Sequence, residues 1–237
     1  MVVMPARDCK AGTTRQVMEM ADEIVLWGAG STRSMRAHWM LRELGLAYDC
    51  HPIGSRTGET ETDDYGRLNP RRKIPVLRHG EVVLSESAAI VGYLAERFGD
   101  RDRLYLPADP AGRARVAEWC YFVMTELDAH TLYVIRRHQG LAHIYGEAPQ
   151  AVAAAEAYFL KQLGAMTGAA RAAAPYLFGP RLSTADILLM TCLDWARFYD
   201  IDLPEDWRAY QSRVGERPAY LDAFAVNYPE RSLADAR

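Results

Sequence analysis

The chain has 237 residues, 49% of them hydrophobic and 25% charged, with a formal net charge of −3. That is ordinary globular composition, long enough for one large domain or two small ones. It gives no electrostatic reason to expect a nucleic acid or a membrane surface as partner, and no apolar run approaches the roughly 20 residues of a spanning helix.

Residues 1–22 are mixed and polar, broken by Gly12-Thr13-Thr14, and read as a loosely held extension. Their charges (Arg7, Asp8, Lys10, Arg15, Glu19, Asp22) leave no apolar signal-peptide core, so a cytoplasmic location is expected. Glu23 to Trp27 is a short apolar run closed by Gly28-Ala29-Gly30, the pattern of a buried strand. From Ser34 to Leu44, Met35, Trp39, Met40 and Leu44 recur at helical spacing, and Gly45 supplies a stop. Ala47 to His51 reads as a second strand, and 54–70 as turn-rich with an irregular helix between Glu59 and Leu68. Pro75 to Leu77 and Glu81 to Leu84 make a hairpin about His79-Gly80. Ser85 then caps a helix that runs to about Phe98. The order β-α-β-α-β-β-α suits one small mixed sheet with helices on both faces.

Gly99, Pro107 and Pro110 stand among charges and mark a linker, after which every segment is helical. Val116, Cys120, Val123 and Leu127 form one stripe; Val152, Ala155, Phe159, Leu163 and Met166 form another. Ser183 with Asp186 three residues on is a capping-box variant, flanked by Leu182 and Ile187 as a hydrophobic staple. Shorter helices near 206–214 and 218–226 finish the chain. The expected division is a 1–22 extension, a 23–99 α/β domain and a 108–228 all-α domain.

Cys9, Cys50, Cys120 and Cys192 are scattered, and His130, His138 and His143 lack a zinc-type spacing, so neither a redox nor a metal role is expected. Three other places can carry chemistry. In Lys73-Ile74-Pro75-Val76 a proline heads a strand. A cis bond there would present Ile74's backbone to a peptide-like ligand, whereas an ordinary trans strand entry would not. In Leu84-Ser85-Glu86-Ser87 a helix starts directly after a strand, which favours a carboxylate, while Glu86 suits an ammonium on the same ligand. The same residues also make a plain helix cap. In Gly28 to Ser34, a run of hydroxyls precedes a helix, an environment that stabilises a thiolate. Capping by Ser34 or Thr32 is the alternative. Arg33 stands where a dinucleotide loop needs its third glycine.

Five pieces recur in one family's order: Glu43-Leu44-Gly45-Leu46-x-Tyr48, Asn69-Pro70-x-x-Lys73-Ile74-Pro75-Val76-Leu77, Ser85 to Ile90, Phe178-Gly179-x-x-Leu182-Ser183-Thr184-Ala185-Asp186, and Arg217-Pro218. In these the chain from about 23 to 226 resembles a cytosolic glutathione S-transferase. The resemblance implies a thioredoxin-like first domain with a cis bond at Pro75. Glu86 and Ser87 would hold the γ-glutamyl end of glutathione, Ile74 its cysteinyl backbone and Lys73 its glycyl carboxylate.

Spacing back from Leu46 places Trp27 where tyrosine-type classes carry their Tyr, Arg33 where cysteine-type classes carry their Cys, and Ser31 where serine-type classes carry their Ser. The expectation is a serine-type, theta- or zeta-like bacterial enzyme with Ser31 favoured over Thr32 at the sulfur and Arg33 assisting by charge. Glutathione would be co-substrate, conjugated to a hydrophobic electrophile held between the domains by Trp119, Phe122 and Tyr133. A homodimer is implied. The alternatives are a zeta-like isomerase or dehalogenase, and a non-catalytic binding or regulatory protein on the same scaffold.

Overall fold

A computed structural model describes residues 23–172 and 175–231. The expected extension at 1–22, with Cys9, lies outside the described residues. The rest falls into two compact units, 23–99 with 218–231, and 100–217.

The first unit is built on a four-stranded sheet of order β2-β1-β3-β4. Its elements are β1 (Ile24–Trp27), α1 (Thr32–Glu43), β2 (Asp49–His51), a 3-10 turn (Glu59–Glu61), α2 (Asp63–Leu68), β3 (Val76–His79), β4 (Val82–Leu84) and α3 (Ser87–Phe98). β1 pairs parallel with β2 (Leu26 opposite Cys50) and antiparallel with β3, which pairs antiparallel with β4. This is the thioredoxin-like order. A parallel pair needs a crossover, and α1 supplies it. Leu26, Met40, Leu77, Ile90 and Leu94 are fully buried between sheet and helices. Tyr65 of α2 packs with Ile74, Val76, Trp27 and Leu68 in a smaller apolar cluster.

The second unit is helical. It comprises α4 (Pro110–Phe122), α5 (Tyr133–Ile135), α6 (Ala142–Tyr145), α7 (Pro149–Ala165), α8 (Thr167–Ala172), α9 (Thr184–Arg197) and α10 (Glu205–Val214). α4 runs on through wider π-helical turns at Val123–Leu132 and Arg136–Gly140. The expected stripes face inward at Val123 and Leu127, and at Ala155, Phe159 and Leu163. The core helix is α9, buried along its length from Ala185 to Ala196. Its capping box forms as expected, with Ser183 and Asp186 exchanging bonds and Leu182 and Ile187 both buried.

The last helix, α11 (Pro218–Asn227), belongs to the first unit rather than with the helices of 108–217. The reason is α1. It is buried over most of its length, at Met35, Ala37, Trp39, Met40 and Leu41 among others, and packs against both α3 and α11. Trp39 meets Tyr220 edge-on at 5.0 Å. A second difference concerns Ser85. α3 starts at Ser87 with Glu86 as N-cap and no side-chain cap bond.

Candidate active site

The loop between β1 and α1 is fixed residue by residue. Gly28 N–H donates to the His51 carbonyl, Ala29 N–H to that of Ile53 (both 2.9 Å), and Gly30 N–H to that of Asn227 (2.8 Å). Gly28 has φ +124, and a Cβ there would sit 2.9 Å from Ile74 Cβ and 3.3 Å from Pro75 Cα. Only glycine lets this loop press onto the proline turn. His38 of α1 ties the loop from below: one ring nitrogen, Nε2, donates to the Gly28 carbonyl at 3.0 Å, while Nδ1 accepts from Tyr48 Oη at 2.8 Å. Burial lowers the His38 pKa to about 4, with the Gly28 bond opposing and Arg42 adding to the shift. The neutral ring is therefore the working form.

Ser31 is the N-cap of α1, in place of the Ser34 or Thr32 considered from sequence. Its Oγ accepts from Ser34 N–H at 3.0 Å and lies 2.7 Å from Ser34 Oγ. A small part of Ser31 and of Thr32 remains accessible (9% each), whereas Ser34 is fully buried. Arg33 is half-buried. Trp27, at the tyrosine-type position, is stacked on His51 with Arg78 over its ring.

The Ile74–Pro75 bond is cis. Trp27–Val76 is the last pair of the β1–β3 ladder, so Ile74 and Pro75 lie just beyond it. The preceding carbonyl, of Lys73, accepts from Tyr65 Oη (2.7 Å) and Asn69 Nδ2 (2.8 Å). Burial pushes the Tyr65 phenol up to about 12, so it stays a donor. The Lys73 side chain is exposed.

At the start of α3, Ser87 is buried and its Oγ accepts from Arg36 Nη1 at 3.1 Å. Glu86 is exposed and paired with Arg71 (Nη1 to Oε1, 2.7 Å), whose Nη2 donates to Ser85 Oγ at 2.8 Å. One unit thus joins Ser31, the cis turn and the Glu86-Ser87 helix start: a packed loop links the first two, and Arg36, one turn along α1 from Ser31, reaches the third. The arrangement brings an exposed carboxylate, a helix N-terminus and a cis-proline turn into one unit with a hydroxyl at a second helix N-terminus. A carboxylate suits an ammonium and a helix N-terminus suits an anion.

Trp119 and Phe122 lie in the other unit, on α4, half-buried and edge-on at 5.7 Å; Tyr133 begins α5, also half-buried. Sequence reasoning missed Arg36, His38, Arg71 and Asn227. All four act through partners remote in sequence or hidden within a helix, so no local motif marks them.

Among the described residues no group of His, Cys, Asp and Glu is placed to hold a metal, and no helix is long and apolar enough to cross a membrane. Among the described residues Cys50 and Cys192 are buried and Cys120 half-buried, and none of the three is in a disulfide.

A family model described as glutathione S-transferase, N-terminal domain, matches residues 30–97, and one described as glutathione S-transferase, C-terminal domain, matches 122–218. Glutathione S-transferase theta-1 of Bos taurus is 28% identical over 148 residues, 62% of this chain and 61% of the relative. The chain thus spans about six-tenths of that curated relative's length. The crystal structure of the theta class glutathione S-transferase from Xanthomonas axonopodis pv. citri, with glutathione bound, is 30% identical. It covers 85% of this chain and 97% of its own, with a TM-score of 0.71. A glutathione transferase from Methylococcus capsulatus is 27% identical, with a TM-score of 0.73 over 86% of this chain and 98% of its own.

Proposed function

We propose, because the chain belongs to the glutathione S-transferase family, that it conjugates the thiolate of glutathione to a hydrophobic electrophile and that Ser31 is the group at the sulfur. The observation that carries this reading is the joining of Ser31, cis Ile74–Pro75 and Glu86-Ser87 in one unit. The solved Xanthomonas relative holds glutathione.

In this reading the ligand's ammonium faces Glu86 and its α-carboxylate faces Ser87 and the α3 N-terminus. Its cysteinyl backbone lies along Ile74 before Pro75, and its glycyl carboxylate meets Lys73. Ser31 Oγ takes the Ser34 N–H and, when Ser34's hydroxyl also donates to it, keeps its own proton free to donate to the sulfur. A charge-assisted bond of this kind and the helix dipole together supply on the order of 3 kcal/mol, enough to lower a thiol pKa by about two units. The thiol proton leaves to solvent, and the thiolate forms a carbon–sulfur bond as the acceptor's leaving group departs or its conjugate takes up a proton. Arg33 adds favourable charge, with Thr32 the alternative hydroxyl.

Trp119, Phe122 and Tyr133 are the acceptor-side candidates. A cytoplasmic homodimer completes the reading, within which 23–99 with α11 is the glutathione domain and the helices before α11 form the acceptor domain. The test is calorimetric titration with glutathione, followed by a conjugation assay over a panel of electrophiles that includes haloalkanes. Absence of binding would overturn it. Binding without turnover on any acceptor would favour a non-catalytic protein.

A further inference from the structure

The β1–α1 loop depends on a residue 196 positions away in the chain. Asn227, the last residue of α11, is fully buried. Its backbone carbonyl accepts from Gly30 N–H at 2.8 Å, and its Nδ2 donates to the Ser31 carbonyl at 3.0 Å. That carbonyl also accepts the first α1 bond, from Met35 N–H at 3.0 Å. The two Asn227 bonds therefore bracket the Gly30–Ser31 peptide. Gly30 has φ +71, and a Cβ there would meet nothing within 4 Å. The hydrogen bond from its N–H to Asn227 ties this exposed residue to α11.

The amide's orientation follows from its partner. Turned over, it would set Oδ1 against the Ser31 carbonyl, two acceptors face to face. In the orientation present, Oδ1 is buried without a hydrogen-bond partner. An unpaired buried amide oxygen costs stability.

We infer that Asn227 is a positioning residue for the thiolate-stabilising hydroxyl: through Gly30 and the Ser31 carbonyl it sets where Ser31 Oγ stands. The inference rests on the assignment of Ser31 to the sulfur. Small displacements at a reacting centre are costly in rate, so a role of this kind touches the thiol more than the tripeptide's binding.

The test compares wild type, Asn227→Ala and the isosteric Asn227→Asp, each titrated calorimetrically with glutathione and followed by the ultraviolet absorbance of the bound thiolate against pH. Asn227→Ala is expected to raise the bound thiol pKa by about one unit and lower kcat about tenfold below that pKa, with KM for glutathione changed less than about twofold. Asn227→Asp, which sets a carboxylate against the Ser31 carbonyl, is expected to do more. A lower melting temperature with unchanged thiol pKa and kcat in the folded variants would overturn the positioning role. Amide exchange of wild-type Gly30 gives a readout that needs no variant to fold. Slow exchange supports the α11 tether, and the rate of a free loop overturns it. Failure of wild type to bind glutathione would sink the underlying assignment, whereas binding with an insensitive thiol pKa would sink this inference alone.

Discussion

Ser31 and Ser34 share one oxygen: Ser34 gives its N–H to Ser31 Oγ at 3.0 Å and places its own Oγ 2.7 Å away. When the Ser34 hydroxyl donates, both lone pairs of Ser31 Oγ are engaged and the Ser31 proton alone is left to give. Ser31→Ala is then expected to raise the bound thiol pKa by about two units and to cost far more turnover than affinity. Ser34→Ala keeps the backbone bond and loses the orienting one, for a rise of about half that size. Thiolate absorbance against pH reads both. If Thr32→Ala moves the pKa and Ser31→Ala does not, the role passes to Thr32.

Ser87 makes the γ-glutamyl end testable apart from the sulfur. Its hydroxyl accepts from Arg36 Nη1 and lies at the first turn of α3. It therefore has its proton left for a carboxylate. Removing a donor to a charged group costs about 1.5–3 kcal/mol, so Ser87→Ala should weaken glutathione at least about tenfold. The bound thiol pKa should stay where it is. Unchanged affinity by calorimetry would place the ligand elsewhere.

What the sequence revealed and what it hid follow from the range of the interactions. The Ser183–Asp186 box was legible because its partners are three residues apart and each names the other. The strands and α1 were legible from apolar runs closed by glycine, although α1 begins at Thr32, two residues before the Ser34 expected. Ser85 misled: it has a capping residue's chemistry, but its hydroxyl is taken by Arg71, fourteen residues back, and Glu86 stands at the N-cap. Arg36 was invisible because a charged residue on a helix normally reads as solvent-facing, and this one is fully buried against Ser87. α11 read as one more helix of a bundle; nothing in its own periodicity shows that it covers Trp39 or that its last residue reaches Ser31.

Asp186 carries a structural prediction in the helical unit. Oδ1 accepts from Leu177 N–H (2.8 Å) and Tyr210 Oη (2.6 Å); Oδ2 accepts from Ser183 N–H (2.8 Å) and Ser183 Oγ (2.6 Å). Burial pushes its carboxyl up, against the pull of these four donors. Asp186→Ala removes the acceptor and leaves buried donors unpaired at the head of α9, which costs about 3 kcal/mol or more. For a chain of this size that is on the order of 10 °C in melting temperature. Ser183→Ala, which loses the cap and one of the four donors to the carboxylate, should cost less, about 2 kcal/mol. Equal small losses in the two variants would show that the carboxylate is not the hub.

His38 contributes an acid sensitivity to the fold and to its loop. The folded ring is held neutral to about pH 4 because burial disfavours its charge, while in the unfolded chain it titrates near 6.5. Between those values the unfolded state binds the proton and the folded state refuses it, so stability rises with pH across that window. Contributed stability is complete above about pH 6.5 and is lost as the pH falls toward about 4, a change on the order of 3 kcal/mol from this one group. The expected measurement is a denaturant midpoint that falls as buffers are taken from neutral toward about pH 4.5, with the His38 ring signals in NMR staying those of the neutral form. Because Nε2 holds the Gly28 carbonyl, His38→Ala should also loosen the loop and weaken the thiol pKa shift at neutral pH. His38 ring signals that titrate near 6.5 in the folded protein would refute the neutral-ring assignment and with it the predicted slope.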